Sequence, residues 1–577
     1  MKQVNISQRQ LPDSSLPVFK QSHPILARIY ASRGVHDLNA IGRNLNELLP
    51  DNGLSGIDQA VDRLVVALEQ RQKILIVGDF DCDGATSTAL GVLALRMMGA
   101  AEVSYLVPNR FEFGYGLSPE IVVEALKQTP DLLITVDNGI SSIDGVTAAN
   151  LANLDVIVTD HHLAGSELPE ACAIVNPNQP ECGFAAKSTC GVGVIFYVMI
   201  ALRRALQAKG WFESNGLPQP NLASLLDLVA LGTVADVVPL EQNNRILVYQ
   251  GLQRIKAGYC RPGLKALIEY SGRQQHKITS ADLGFAIAPR LNAAGRLEDM
   301  SIGIECLLTE SDQRAKELAA TLNDLNQERK GIEQEMQQQA LDLLNKLQLD
   351  SEQIPYGLSL YEPEWHQGVI GILASRIKDR VHRPVIAFAQ GDAGELKGSA
   401  RSISGFHVRD GLDAIAAQYP ELLRKFGGHA MAAGLTIRET DLPLFQRAFD
   451  EEVSRQLSEA DLQQELLTDG SLTAADMTLE VAELLRESGP WGHQFPEPLF
   501  EGEFSLLQQR VVGQRHLKMV LMEPETGMAI DAIQFNADMD SWPDESITRV
   551  QVVYRLDVNE FRGQKSVQML VDHLQPI

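Results

Sequence analysis

Residues Lys73–Gly84 read KILIVGDFDCDG, and this stretch decides how the rest of the chain is interpreted. A short apolar strand ends in three carboxylates on alternate positions, Asp79, Asp81 and Asp83. In open α/β sheets, ligands bind at the carboxyl ends of parallel strands, which is where these acids stand. Three anions so close together repel one another unless cations neutralise them, and oxygen ligands suit Mg²⁺ or Mn²⁺. The stretch therefore predicts a metal site on a parallel sheet.

Two other interpretations of this stretch are a solvated acidic turn and a Ca²⁺ loop of the EF-hand kind. The EF-hand is disfavoured because the twelfth position counted from Asp79 is Leu90, which has no ligand atom, and because a strand precedes the acids. The acidic turn is disfavoured because the same pattern, an apolar run ending in an acid, repeats further along the chain.

Later apolar runs also end in possible metal ligands. The run LLITVDNG brings Asp137 to the end of a second strand, and VIVTDHH brings His161 to the end of a third. Asp236, in LGTVADVVPL, comes after another apolar run and completes the set. Asp227 is a competing candidate upstream, which we interpret as a helix-face or capping residue. A lone strand-end aspartate is often only a turn cap, but a repeated pattern on one sheet edge predicts a shared site.

The number of ligands argues for more than one cation. A single Mg²⁺ normally keeps several waters, so six side chains are too many for it. They suit two divalent cations about 4 Å apart that share a carboxylate, an arrangement that supports in-line displacement at phosphorus. We therefore predict a phosphoesterase with two Mg²⁺ or Mn²⁺ ions, and its candidate ligands are Asp79, Asp81, Asp83, Asp137, His161 and Asp236.

The fold class predicted from the pattern of the chain is α/β, with two α/β lobes joined by a long helix and a small C-terminal β-barrel. Strands alternate with helices from about residue 71, which indicates βαβ units and a mostly parallel sheet. Residues 311–349 keep helical spacing of apolar positions without proline, which predicts a connecting helix; coiled-coil dimerisation is the alternative. Short alternating runs from 499 to 577 predict an OB-like barrel.

Composition places the chain among globular proteins. Of its 577 residues 45% are hydrophobic and 22% charged, and its six cysteines form no CxxC pair. The N-terminus has no apolar signal core and no stretch approaches the length of a membrane span, so we expect no membrane association and a cytoplasmic location. The net charge of −25 is concentrated, because residues 441–503 carry 15 acidic side chains against 3 arginines. Overall acidity therefore does not exclude a local basic groove for nucleic acid.

The motifs GDFDCDG, VDNG, TDHH and LGTVADVVPL resemble those of the DHH phosphoesterase superfamily, and GSARS and GGHAMAAG resemble its DHHA1 partner domain. The segments PNRFEFGYGLS and APRLNAAGRLEDM, with the long C-terminus, are similar to the branch of bacterial single-strand-specific 5′→3′ DNA exonucleases. Asp79 stands where other branches of the superfamily carry a histidine, and the exonuclease branch also carries an aspartate there.

The expected domains are 1–70, a helical lead-in; 71–305, the DHH catalytic domain; 306–350, the connecting helix; 351–458, the DHHA1 domain; and 459–577, an acidic linker with an OB-like barrel.

The resemblance also implies roles for individual residues. One cation would be held by Asp79, Asp81 and Asp137, and the other by Asp83, Asp137, His161 and Asp236, with Asp137 as the bridge. Asp160 would orient a ligand imidazole, and His162 would approach the scissile phosphate. Hydrolysis would release 5′-mononucleotides.

Candidate contacts to single-stranded DNA are basic, aromatic or hydroxyl side chains in glycine-containing segments. Ser399, Arg401 and Ser402 would bind a phosphate, because Arg favours bidentate contacts with phosphate. The resemblance implies that this arrangement anchors the 5′ end. Arg290 and Arg296 flank LNAAG, which we interpret as a helix-poor loop. Phe111 and Phe113 are interpreted equally well as packing residues. The complete set is Arg110, Tyr115, Arg290, Arg296, Ser399, Arg401, Ser402 and His429, where the alternative for His429 is a core histidine.

The leading function is a single-stranded-DNA exonuclease of repair, recombination and mismatch repair. It would act as a monomer, with a single-strand-binding protein and a helicase that supplies unwound strands. The alternatives are a small-substrate phosphodiesterase for nanoRNA or cyclic dinucleotides, and a non-catalytic replication-associated relative. The extra C-terminal barrel argues against the first alternative, and the complete ligand set argues against the second.

Overall fold

The computed structural model describes residues 4–12, 23–109, 116–350, 354–539 and 541–577, with the backbone alone described for 347–350. The chain divides into two compact units. The first combines Gln8–Asn323 with Leu467–Ile577, and the second contains Asp324–Leu466 and the N-terminal residues up to Ser7. The predicted fold class is confirmed, since both units carry an α/β sheet or a barrel of the expected kind.

The N-terminal half of the chain alternates strands and helices. Its strands are β1 (Asn5–Gln8), β2 (Lys73–Gly78), β3 (Glu102–Leu106), β4 (Leu132–Val136), β5 (Asp155–Thr159) and β6 (Ala173–Val175). Its helices are α1 (Pro24–Ser32), α2 (Ile57–Glu69), α3 (Cys82–Met97), α4 (Pro119–Leu126), α5 (Ile143–Leu151), α6 (Gly191–Ala208), α7 (Trp211–Ser214), α8 (Leu226–Ala235), α9 (Gln242–Lys256), α10 (Pro262–Tyr270), α11 (Ser280–Asp282), α12 (Ala288–Leu297) and α13 (Ser301–Leu308).

Five of these strands form a parallel sheet in the order β3-β2-β4-β5-β6. The strands β2, β4 and β5 are almost continuously apolar because helices cover both faces of such a sheet. Their registers align the last residues of the strands, with Gly78 beside Val136 and Val136 beside Thr159. The residues immediately after these positions therefore emerge at one edge of the sheet.

Helix α6 is the one helix among the described residues whose length and apolar composition would suit a membrane span. Two thirds of it are buried inside the protein, where it packs against α2, α3 and α8. Its first two residues also bind a carboxylate of the candidate site described below. These contacts are those of a core helix.

The long helix predicted between the lobes is α14 (Asp312–Asp350). The second unit continues with β7 (Leu358–Tyr361), α15 (Ile370–Val381), β8 (Val385–Gln390), β9 (Glu395–Arg401), α16 (Val408–Gln418), β10 (Lys425–Gly428), β11 (Ala432–Arg438), α17 (Leu442–Gln456) and β12 (Glu465–Thr468). Strands β10-β11-β9-β8-β7 form a mixed sheet, and β1 pairs with β12.

Both faces of this mixed sheet are covered. Ile386 and Phe388 of β8 join a core with α16 and α17, whereas Val385 and Ala387 join a core with α15 and the C-terminal part of α14. Alternate residues of one strand thus serve two cores, as the pleat of a β-strand requires. Met336, Ala340 and Leu344 of α14 are buried in the second of these cores.

The C-terminal segment folds as helix α18 (Leu479–Glu487) and a closed barrel of β13 (Phe500–Val512), β14 (His516–Met522), β15 (Ala529–Gln534), β16 (Arg549–Phe561) and β17 (Gln564–Pro576). The strand order is β13-β14-β15-β17-β16, and β15 and β17 are parallel while the other pairs are antiparallel. Five strands closed in this order form the Greek-key barrel of an OB-fold, as predicted.

A buried ion pair joins helix α1 to the segment that leads into the barrel. The two guanidinium Nη atoms of Arg33 lie 2.7 and 3.0 Å from the two carboxylate oxygens of Asp469, and both side chains are almost inaccessible to solvent. Asp469 also accepts hydrogen bonds from Ser32 Oγ and from the backbone N–H of Leu499. The first helix and the last domain therefore share one desolvated polar contact.

Three details differ from the sequence-based expectations. The lead-in that we expected to be helical also contains β1. The glycine-rich segment around GGHAMAAG forms the hairpin β10–β11, which we did not predict, and α16 was also missed. The acidic stretch is more than a linker, because α18 lies within it and binds the barrel through Arg486–Asp557 and Glu483–Lys565 pairs.

Candidate metal centre

The possible ligands converge at the carboxyl-terminal edge of the parallel sheet. Asp79 follows β2, Asp137 follows β4, and His161 comes two residues after the end of β5. Helix α8 ends immediately before Asp236. Asp81 is the N-cap of α3, where its Oδ1 accepts a hydrogen bond from the backbone N–H of Gly84. Adjacent strands in register thus deliver side chains from distant parts of the chain to one place.

Atoms of these side chains lie close enough to share cations. The side chains form three groups, and within each group one ligand atom of every residue lies within 4.8 Å of those of the other two. The groups are Asp79, Asp81 and Asp137; Asp83, His161 and Asp236; and Asp137, His161 and His162. The imidazole Nε2 of His161 is 3.1 Å from Asp137 Oδ1 and 3.5 Å from Asp236 Oδ2. All six predicted ligands are brought together.

Asp137 adopts an uncommon backbone conformation. Its φ is 62°, in the left-handed region that non-glycine residues rarely enter. The next residue, Asn138, is buried and donates hydrogen bonds to the carbonyls of Val77 and Val136, which ties the ends of β2 and β4 together. A Cβ on Gly191 would stand 2.6 Å from the Asp137 side chain, so only glycine fits there. The surroundings thus hold a strained residue in place, as is common at functional sites.

Asp83 is fixed by the N-terminus of α6. Its carboxylate accepts hydrogen bonds from the backbone N–H groups of Gly191 and Val192, at 2.7 and 3.0 Å. A helix N-terminus favours negative charge. Nevertheless, burial and then the charge of Asp81 raise the pKa of Asp83 to about 7. The centre therefore concentrates more negative charge than its own hydrogen bonds balance.

The same excess of charge acts on Asp137 and Asp236. Burial, followed by the charges of Asp83 and Asp81, raises the pKa of both carboxyls well above the ordinary value. Bound cations would remove this repulsion. Five carboxylates with one imidazole form a donor set that fits Mg²⁺ or Mn²⁺, which prefer oxygen ligands and tolerate a nitrogen. The residues present thus fit divalent metal ions.

Asp160 and His162 form a second hydrogen-bonded pair beside the ligands. Asp160 Oδ1 lies 2.8 Å from His162 Nδ1 and also accepts the backbone N–H groups of His161 and His162. Burial lowers the pKa of His162, but the hydrogen bond and the charges of Asp160 and its acidic neighbours outweigh it and raise the pKa to about 9. The hydrogen bond to Asp160 therefore positions the imidazole at the edge of the ligand cluster and favours its cationic form.

Several residues that support the centre were not identified from the sequence. Asn292 of α12 accepts the backbone N–H of Cys82 through its Oδ1 at 2.7 Å, and Asn176 and Asn178 donate to the carbonyls of His162 and His161. These asparagines are separated in the chain from the groups they bind. The signal that could have pointed to Asn292 is its place in the motif APRLNAAGRLEDM, which we interpreted as a DNA-contact loop.

Comparison with known proteins agrees with this geometry. Residues 73–233 match the DHH family, N-terminal domain; residues 354–455 match the DHHA1 domain; and residues 468–573 match the RecJ OB domain. The single-stranded-DNA-specific exonuclease RecJ of Salmonella typhimurium is 55% identical over 577 residues, which is 100% of both chains. The chain belongs to the RecJ family.

Two solved structures of the RecJ family extend the comparison. RecJ from Thermus thermophilus in complex with Mn²⁺ has a TM-score of 0.80 and 30% identity, over 100% of this chain and 80% of that one. The complex of Thermus thermophilus RecJ with Mg²⁺ has a TM-score of 0.75 and 29% identity, over 100% and 79%. The Thermus thermophilus protein was thus solved with each of the two cations that the donor set in this chain suits.

The structure corrects our interpretation of the motif that carries Arg290 and Arg296. The segment LNAAG is not a helix-poor loop but part of helix α12. Pro289 is tolerated because it stands in the first turn, where no helical N–H is needed. Arg290 is buried, and its guanidinium donates to the carbonyls of Ala286 and Tyr270 and to Asn323 Oδ1. These contacts stabilise the helix, whereas Arg296 is half-buried near its end.

The other predicted DNA contacts within the described residues of this RecJ-family chain lie in the second unit. Arg401, at the end of β9, donates from Nη1 to Ser399 Oγ at 3.3 Å and to the carbonyl of Ala400 at 2.8 Å. A Cβ on Gly371, in the first turn of α15, would stand 3.0 Å from both Arg401 Nη2 and Ser399 Oγ. The guanidinium and hydroxyl therefore face a helix N-terminus, where backbone N–H groups also attract anions.

Ser402 and His429 differ from their neighbours. The hydroxyl of Ser402 is buried and donates to the carbonyl of Phe406 at 2.7 Å, which is a structural contact. His429 is exposed at the turn of the β10–β11 hairpin, so the interpretation as a core histidine is wrong. Arg110 and Tyr115, together with Phe111 and Phe113, lie outside the described residues, and their assignment as DNA contacts stays a prediction. Asp227 accepts the backbone N–H groups of Leu228 and Arg261, in agreement with a capping role.

Proposed function

We propose that this chain hydrolyses single-stranded DNA from its 5′ end and releases 5′-mononucleotides with the help of two divalent cations. The observation that carries the proposal is the pair of ligand groups that meet at Asp137. Membership of a family whose curated members are named single-stranded-DNA-specific exonucleases supports the substrate and the reaction class. The count of two cations, the polarity and the product are our own assignments.

The ligand geometry supports one assignment for each cation. Asp79, Asp81 and Asp137 would hold one, and Asp83, Asp137, His161 and Asp236 would hold the other, with Asp137 shared. When bound, such ions lower the pKa of water and neutralise charge on a phosphodiester. Because the six side chains come from strand ends and helix termini, they are positioned before substrate arrives.

The residues beside the ligands would act on the phosphate itself. His162, oriented by its hydrogen bond to Asp160, would donate from its other ring nitrogen to a non-bridging oxygen of the scissile phosphate. An imidazolium in that position favours the transition state because negative charge accumulates there. Asn176 and Asn178 limit movement of the His161–His162 backbone, so both rings keep their orientation.

Polarity requires a group that recognises an end of the strand. Arg401 and Ser399 at the N-terminus of α15 form a set suited to a terminal phosphate, with one guanidinium, one hydroxyl and nearby backbone N–H groups. Burial lowers the pKa of Arg401, but the ordinary pKa of a guanidinium is so high that it stays cationic. We assign this set to the 5′-phosphate.

The cellular setting is also a proposal. Single strands arise where duplexes are unwound, so a helicase and a single-strand-binding protein are the expected partners, in cytoplasmic DNA repair, recombination and mismatch repair. We propose that the chain acts as a monomer, because Met336, Ala340 and Leu344 of α14 are buried in a core of their own unit and are not available for a coiled coil.

The decisive experiment is digestion of end-labelled single-stranded and duplex oligonucleotides. We expect 5′-labelled single strands to release labelled mononucleotide at once in Mg²⁺ or Mn²⁺, 3′-labelled strands to shorten gradually, and duplexes to survive. EDTA should abolish cleavage. Immediate release of label from the 3′ end would contradict the polarity, and activity in EDTA would contradict the metal mechanism.

A further inference from the structure

Val237, the residue after the ligand Asp236, has a backbone conformation that its side chain disfavours. Its φ is 60°, at the position just after the C-cap of α8, and its N–H donates to the carbonyl of Val234. Helices usually end with glycine at this left-handed position, because a β-branched side chain meets the backbone there. The only other β-branched residue with positive φ in the described part of the chain is Thr129.

Packing inside the protein does not explain a valine at this position. The residue is 61% exposed, so its methyl groups gain little from burial, and a glycine would end the helix without strain. Strained backbone conformations are often kept at functional sites, where the side chain contacts a ligand or substrate. Val237 directly follows Asp236, whose carboxylate lies in one ligand group with Asp83 and His161, so this strained and exposed residue is next in the chain to the candidate metal centre.

We propose that Val237 is a substrate-contact residue, which packs on the apolar face of the sugar in the nucleotide whose phosphate lies at the metal centre. This inference rests on the proposed function. A deoxyribose presents CH and CH₂ groups that have no hydrogen-bonding needs, and a rigid, β-branched side chain suits such a surface because it has one preferred rotamer. The contact would orient the nucleotide rather than take part in proton transfer.

The test compares three substitutions at this position with one elsewhere. Val237→Gly removes both the strain and the contact, Val237→Ala removes most of the contact, and Val237→Ile keeps a β-branched apolar side chain. The matched control is Thr129→Gly, which relieves the same kind of strain at an exposed residue between α4 and β4, at the opposite edge of the sheet from the ligands.

We measure kcat and KM on a single-stranded oligonucleotide, the affinity for Mn²⁺ by calorimetry, and Tm. Loss of one apolar side-chain contact is expected to lower kcat/KM about tenfold in the Gly and Ala variants. The Ile variant and Thr129→Gly should match wild type. The affinity for Mn²⁺ should stay unchanged in all variants, and Tm should not fall in Val237→Gly.

Three results would overturn the inference. Wild-type kcat/KM in Val237→Gly would show that the side chain makes no contact with DNA. A parallel loss of Mn²⁺ affinity would show that the residue serves only to position Asp236. A lower Tm would show that it packs against the chain itself. An inactive wild-type protein would contradict the proposed function instead, so the two failures are distinguishable.

Discussion

At the scale of single residues, the metal centre combines mutual repulsion with rigid support. Asp83 and Asp137 are almost fully buried, and their pKa values are raised because each faces other carboxylates in a desolvated place. The hydrogen bonds from α6 and the strained backbone of Asp137 keep these groups together despite that cost. Cation binding should therefore stabilise the fold as well as supply the chemistry.

The first prediction concerns Asp81→Asn, which keeps the shape of the side chain and removes one negative charge. We expect turnover to fall by at least about two orders of magnitude. Loss of a residue that only hydrogen-bonds a metal ligand already lowers activity about 10–100-fold, and loss of a ligand should cost more. The Tm without metal should rise or stay unchanged, since repulsion on Asp83 is relieved. Activity and thermal unfolding with and without Mg²⁺ check both statements.

The matched control for this substitution is Asp144→Asn, at an exposed acid in the first turn of α5. It should leave turnover unchanged. Retention of more than about a tenth of wild-type turnover in Asp81→Asn would contradict its role as a ligand.

The second prediction concerns Arg401→Ala. Charge-assisted hydrogen bonds to a terminal phosphate are worth about 1.5–3 kcal/mol each, or about one to two powers of ten in affinity. Binding of a 5′-phosphorylated single strand should weaken by this factor, whereas a 5′-hydroxyl strand should be affected much less. Affinities are compared at one salt concentration, because phosphate contacts depend on salt.

Arg409→Ala is the control for the second prediction, since Arg409 is exposed on α16 and pairs with Asp413 at 3.8 Å. It should weaken neither complex appreciably. An equal loss of affinity for the 5′-phosphorylated and the 5′-hydroxyl strand in Arg401→Ala would mean that the guanidinium binds internal phosphates of the DNA and does not distinguish the 5′ end.

The convergence of the candidate ligands was predictable from the sequence because they follow apolar runs, and parallel strands in register bring such positions together. The supporting residues were not, because their partners are distant in the chain. Asn292 binds a backbone group 210 residues away, and the motif around it marks the segment without indicating which group it contacts. Arg290 was misjudged for the same reason, since its acceptors are defined only by tertiary structure.

At the scale of elements, helix α12 packs against the segment between β2 and α3, which carries three of the candidate metal ligands. A Cβ on Gly295 would come 1.8 Å from the carbonyl oxygen of Phe80, so the helix touches the loop between β2 and α3 backbone to backbone. Asn292, one turn earlier, binds the N–H of Cys82 in the same loop. The loop that carries Asp79, Asp81 and Asp83 is thereby held against α12.

The third prediction concerns that contact. Gly295→Ala should force α12 away from the loop and weaken Mn²⁺ binding and turnover together, although residue 295 is no ligand. Overpacking of this kind also costs about 1–3 kcal/mol of stability. Calorimetric titration with Mn²⁺ and chemical denaturation measure the two effects.

Gly331→Ala is the control for the third prediction, because a Cβ there would meet nothing within 4 Å on helix α14. It should leave Mn²⁺ affinity unchanged and slightly favour the helix. Unchanged Mn²⁺ affinity in Gly295→Ala would show that the loop does not depend on α12.

Prediction of elements succeeded where periodicity was strong and failed where glycine dominated. The strands β2, β4 and β5 and the long helix α14 were placed within a residue or two, because apolar runs and helical spacing are local signals. The hairpin β10–β11 and helix α12 were missed because their glycines suggested loops. Gly295 of α12 and Gly428 of the hairpin instead stand where a Cβ would meet a backbone carbonyl oxygen, at 1.8 and 2.4 Å, a demand that only the tertiary structure imposes.

At the scale of the whole molecule, the fourth prediction tests the tie between α1 and the segment before the barrel. Asp469→Asn leaves the buried Arg33 without a counter-charge, which typically costs about 3–5 kcal/mol. We expect a clear fall in Tm and in the free energy of unfolding, with turnover preserved at low temperature because the metal centre is not touched.

Asp557→Asn is the matched control, because Asp557 pairs with Arg486 in a partly exposed bridge on the barrel. Such surface bridges contribute about 0–1 kcal/mol, so its Tm should stay close to wild type. Equal stability of the two variants would show that the Arg33–Asp469 pair makes no special contribution.

The same ion pair has a consequence for synthesis on the ribosome. Arg33 meets its partner across 436 residues of chain, and at roughly 5–20 residues per second this separation corresponds to about 20 to 90 s of translation. Throughout that interval the ring of Tyr30 on α1 also lacks Trp491 and Phe495, against which it packs in the folded protein. The first helix to emerge is thus among the last to be covered, and a nascent chain stalled before residue 469 presents it to chaperones.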